Sequence, residues 1–92
     1  MKLIKQSTGK YALTVNVLSN PSPSYFILNV DSKLRTPISL RLISPEGKVL
    51  EQRTLSNTQS IQIGNGYRPG LYYAIVIQAS ESVVVKLVKL KE

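Results

Sequence analysis

Carboxylates are the first place to look for chemistry, and this chain has five: Asp31, Glu46, Glu51, Glu81 and Glu92. They are scattered, with no spaced acidic loop of the kind that cages calcium. Histidine and cysteine are both absent. Without them the common zinc sites and the usual Ser-His and Cys-His nucleophile pairs cannot be assembled. The inventory therefore predicts no catalytic residue, no metal site and no cofactor, in a protein that is not an enzyme. What the chain holds in excess is positive charge: twelve Lys and Arg give a net charge of +7. That balance favours anionic partners through the summed field, and it also suits an ordinary solvated surface. Nucleic acid is not an expected partner. The basic residues are spread along the chain, Lys33, Arg35, Arg41, Lys48, Arg53, Arg68 and Lys86 among them, there is one Phe and no Trp, and the tyrosines do not interleave with the cations as stacking platforms.

The elements that must carry these residues are strands. Ninety-two residues allow one domain. No segment is long and apolar enough to span a bilayer as a helix, and Met1 to Lys10 lacks the apolar stretch of a secretory leader. An exported protein would carry its leader outside these residues. No helical period persists anywhere. Seven short runs rich in Val, Ile, Leu and Tyr are separated by turn residues: 11–17, 24–31, 37–43, 48–54, 58–63, 71–78 and 83–90. Their spacing predicts an all-β fold, a seven-stranded antiparallel immunoglobulin-like β-sandwich spanning 11–92. Residues 1–10 are expected to be a linker or the tail of a preceding region, or an extra edge strand.

Within the runs, Phe26, Leu28 and Val30 alternate with Tyr25, Ile27 and Asn29, and Ile38, Leu40 and Leu42 alternate with Ser39 and Arg41. The run from Leu71 to Ile77 is apolar on both faces, which predicts a central strand with some cover outside. Ser44-Pro45-Glu46-Gly47 predicts a type I turn with Gly47 at φ > 0, and Arg68-Pro69-Gly70-Leu71 a type II turn. Asn20-Pro21-Ser22-Pro23 predicts a stiff, extended link, since its prolines lack donors. A tyrosine corner is expected from Tyr72 or Tyr73, which face opposite ways.

Taken in order, these blocks resemble the type A C-terminal sorting domains of the type IX (Por) secretion system. That family opens with Asn-Pro and an alternating strand, here Asn20-Pro21 and then Phe26, Leu28 and Val30. Its next alternating strand leads to a Gly-Lys turn, here Ile38, Leu40 and Leu42 and then Gly47-Lys48. A later block reads Pro-Gly-apolar-Tyr, here Pro69-Gly70-Leu71-Tyr72. A basic, apolar strand closes it, here Lys86-Leu87-Val88-Lys89. The family often has Asp where this chain has Ser44.

The resemblance implies a sorting signal on a cargo joined at its N-terminal side. Such cargo folds in the periplasm, meets an outer-membrane translocon, and reaches the cell surface or medium, where a sortase commonly removes the domain. A cut is expected in the accessible stretch between Lys2 and Tyr11. Lys48, Lys86, Leu87, Val88 and Lys89 are the expected recognition residues. The last strand is expected at a sheet edge, read by strand addition or lysine contacts, with an edge-to-edge dimer as a by-product. The competing expectation is a carbohydrate-binding or adhesive module. It would need three of Tyr11, Tyr25, Tyr67, Tyr72 and Tyr73 in one flat exposed patch.

Overall fold

Alternation of apolar and polar residues dictates the pairing, and the pairing gives two packed sheets. The computed structural model describes residues 12–56 and 59–91, and the backbone of 3–5. The strands are β1 (Leu3–Lys5), β2 (Leu13–Leu18), β3 (Phe26–Ser32), β4 (Ile38–Ile43), β5 (Val49–Leu55), β6 (Gln59–Ile63), β7 (Gly70–Gln78) and β8 (Glu81–Lys89). All paired strands are antiparallel. One sheet has the order β1-β8-β7-β4-β5 and the other β2-β3-β6. The architecture is all-β, a two-sheet sandwich, and each of the seven runs read from sequence is one of its strands. Tyr11 and Thr58, at the ends of two runs, lie outside the described residues. The short β1 is an eighth strand.

The inward positions fill the space between the sheets. Leu13, Val15, Phe26, Leu28 and Val30 meet Leu40, Leu42, Ala74, Val76, Val83, Val85 and Leu87, all at most 1% exposed. Burying each of these larger aliphatic or aromatic side chains contributes about 1.5–3 kcal/mol.

The two outward faces differ. On the three-stranded sheet the register aligns Thr14 with Asp31, Asn16 with Asn29, and Asn29 with Ser60, with Ile27 between Leu18 and Gln62. This is the polar exterior expected of a sandwich. On the five-stranded sheet the aligned rows are Val49-Ile43-Tyr73-Lys86, Gln52-Arg41-Ile75-Val84 and Thr54-Ser39-Ile77-Ser82, with Leu71 beside Val88. Its centre is apolar, with Ile43, Tyr73, Ile75 and Val84 half-buried, and its margins are polar.

The position of β8 departs from expectation. It lies between β7 and β1, not at an edge, with Leu3, Ile4 and Lys5 opposite Val85, Val84 and Val83. Beyond β1 the same edge is closed by the β2–β3 link. The Ser22 N–H donates to Val88 O at 3.0 Å, and the Leu90 N–H donates to Ser22 O at 2.8 Å. Strand addition and dimerisation through this edge are therefore blocked by backbone already in place.

Candidate recognition site

The four sequence blocks that lie far apart along the chain meet at one pole of the sandwich. Each has a physical task there. The first turn is built on Ser44, whose hydroxyl accepts from Glu46 N–H at 3.2 Å and Lys48 N–H at 3.0 Å. An aspartate would do the same with a carboxylate oxygen. Gly47, at φ +91°, donates its N–H to Ser44 O at 2.9 Å, and the strand pair shifts register just before the turn. The hairpin with a bulge follows the expected chemistry, and Lys48 projects from it exposed.

The Pro69-Gly70 block behaves differently from the expected type II turn. Gly70 already belongs to β7, opposite Lys89, and its φ is +154°. The turn comes earlier, closed by the Tyr67 N–H on Gly64 O at 3.2 Å, with Gly66 at φ +82°. Glycine is needed at 70 for clearance as well, since a Cβ there would stand 3.0 Å from Pro45 Cγ. The two turns thus touch, and Arg68 reaches Glu46 at 3.6 Å. Tyr72, not Tyr73, makes the tyrosine corner: its ring is buried and its hydroxyl donates to Arg68 O at 2.8 Å. Tyr67 stacks on it with centroids 5.1 Å apart.

Between the turns lies a cleft of about 550 Å³ lined by Pro45, Lys48, Leu50, Tyr67, Arg68 and Tyr72, among others. On its far side the Tyr67 hydroxyl donates to Glu51 at 2.6 Å, and Arg53 reaches Glu51 at 2.8 Å. Burial pushes the Glu51 carboxyl up, but the Tyr67 and Arg53 hydrogen bonds and the Arg53 charge outweigh it, leaving its pKa below the usual value. Burial and the Glu51 contact push the Tyr67 hydroxyl pKa up.

Asn20 does more than end a strand. Its side-chain N–H₂ donates to Lys86 O at 2.8 Å and its oxygen accepts from Val88 N–H at 3.0 Å, so an amide stands in for a neighbouring strand. The Asn20–Pro21 peptide is cis.

Two of the expected recognition residues prove to be interior. Leu87 is fully buried, and Lys89 is only 3% exposed. The Lys89 ammonium donates to Gly64 O at 2.6 Å and to Ser24 O, joining the end of β8 to the entry of β3 and the exit of β6. Its carbonyl partners explain how a cation survives there. In the folded domain Lys89 is thus a fastening and Leu87 part of the core. Lys86 and Val88 are outward, Lys86 exposed and Val88 half-buried.

Sequence reasoning missed two fastenings at the opposite pole. Glu81 accepts from Ala12 N–H at 3.0 Å and Leu13 N–H at 3.1 Å, tying β8 to β2. Gln78, 1% exposed, donates to Thr36 O at 2.8 Å and accepts from Ser32. Gln78 shares the inward register of Tyr72, Ala74 and Val76, and that parity is the signal that finds it.

No flat patch of three tyrosines exists among the described residues. Tyr67 and Tyr72 stack on each other, and Tyr73 lies on the outward face of β7; Tyr11 lies outside the described residues. The carbohydrate-binding alternative is not supported.

A non-local β-sandwich whose motif residues act as internal fastenings defines a compact module rather than a linear tag. The model of the secretion system C-terminal sorting domain matches residues 16–90, and the chain belongs to that family. It is a C-terminal sorting signal of type IX secretion, implying export of its cargo to the cell surface or medium. No curated protein and no solved structure matches the chain.

Proposed function

We propose that the domain works without catalysis, as a folded address read in the periplasm by the outer-membrane translocon, on a cargo joined at its N-terminal side. A surface sortase then acts on the segment ahead of β2. The observation carrying this reading is the convergence of the Asn-Pro, Gly-Lys, Pro-Gly-x-Tyr and terminal Lys blocks into one fastened pole. Residues kept for a linear tag would not need to bond one another across the fold. The motif residues hold a shape, and the shape is what the receptor meets.

The test is a fluorescent reporter fused ahead of the full chain in a host with a working type IX translocon. The wild-type fusion should leave the cell. Lys89→Glu, which places a carboxylate beside two carbonyl oxygens, should strongly destabilise the domain and hold the reporter in the periplasm. Normal export of a Lys89→Glu fusion whose domain is unfolded by circular dichroism would refute a folded address.

A further inference from the structure

The outward face of the five-stranded sheet has an apolar centre inside a margin that includes Ser39, Gln52, Thr54 and Ser82. Ile43, Tyr73, Ile75 and Val84 are neighbours on three paired strands. Among the described residues no sheet covers them. Two charged residues share the face, Arg41 and Lys86, both exposed and both cationic. Neither has an ion-pair partner among the described residues. The rows of this face contain no carboxylate. A contiguous apolar patch carrying charge of one sign is a mark of an interaction surface.

We infer that this face docks a protein surface with an apolar centre and carboxylates placed to meet Arg41 and Lys86. The inference rests on the sorting reading, and it assigns the contact to the receptor of that pathway. Charge selects this occupant. A second copy would bring the cations of both faces together with no acid between them, on chains that each carry +7. An anionic lipid surface is typically held by clusters of about four to eight cations, and this face has two. Neither the β8 edge nor Lys89 takes part, since both are closed inside the fold.

The reporter fusion reads the contact. Arg41→Glu with Lys86→Glu reverses the charge at exposed positions, and Ile75→Thr interrupts the apolar centre. Asn16→Glu with Gln62→Glu puts the same two carboxylates on the opposite sheet. The charge reversal should lower extracellular reporter about tenfold or more, and Ile75→Thr several-fold, with thermal midpoints close to wild type. The opposite-sheet control should be exported normally. If the double reversal does not fold, Ile75→Thr alone carries the test. Wild-type export by folded variants of this face overturns the inference and leaves the sorting reading standing. Retention of the wild-type fusion overturns the sorting reading and this one with it. Self-association of the wild-type chain in ultracentrifugation, or sedimentation with phosphatidylglycerol vesicles, abolished by the same reversals assigns the face to a copy or a lipid and overturns it too.

Discussion

On the three-stranded sheet, the outward side chains include Thr14, Asn16, Asn29, Asp31, Ser60 and Gln62. On the five-stranded sheet Ile43, Leu71, Tyr73, Ile75, Ile77, Val84 and Val88 take that side, beside Ser39, Arg41, Gln52, Thr54, Ser82 and Lys86. Both sheets share one core, so core packing cannot account for the difference. Stability demands an apolar inner face and is nearly indifferent to the outer one. Apolar residues kept on an outer face cost solubility, and a docking role explains their retention. The two faces therefore separate what builds the domain from what presents it.

That separation can be broken experimentally. The largest loss should come from the inner side of the last strand. Lys89→Glu leaves a buried charge facing Gly64 O and Ser24 O, and should cost about 3–5 kcal/mol in urea denaturation, while Lys86→Glu three residues earlier should cost little. Next comes Gly64→Ala. Gly64 sits at φ +87°, and a Cβ there would lie 2.8 Å from the Phe26 ring. A loss of about 1–3 kcal/mol is expected. Tyr72→Phe keeps the ring but removes the hydroxyl bond to Arg68 O, for a loss of about 1 kcal/mol. Outward substitutions rank below these: Asn16→Glu should stay within about 0.5 kcal/mol. If Ile75→Thr cost as much as Gly64→Ala, the apolar exterior would be structural and the separation would fail.

The smallest effect is one of pH. Glu51 titrates below its ordinary range. Its contribution is therefore present above that range and is lost as the carboxyl protonates on acidification. Tyr67→Phe removes one cause of the lowering. It should flatten the fall in denaturation midpoint between neutral pH and about pH 3.

Strand positions were legible because alternation is local. Each of the seven runs became a strand, and the Ser44–Gly47 hairpin followed from Pro and Gly preferences alone. The last strand shows where local reading stops. A lysine near the end of a strand reads as solvated, yet Lys89 follows Val83, Val85 and Leu87 in the inward register, and that parity outranks its charge. What parity could not supply were its partners, the carbonyls of Ser24 and Gly64, which lie 65 and 25 residues away. The edge position failed for a similar reason. A strand of three residues carries too little pattern to announce itself, and Asn20 closes the rest of the edge with a side chain rather than a strand. The outer face was half visible. The run Leu71 to Ile77 showed two apolar faces, but only pairing with β4 and β8 brought Arg41 and Lys86 beside it.

Lys89 also makes the domain a check on its own completeness. A copy broken off ahead of that residue, by a premature stop or a protease, lacks the ammonium that fastens Ser24 to Gly64. It also loses the Leu90 N–H that donates to Ser22 O. The pole would then fall open although most of the core sequence was present. A receptor that recognises the assembled shape would pass over such fragments, and damaged copies would be screened out with no separate inspector.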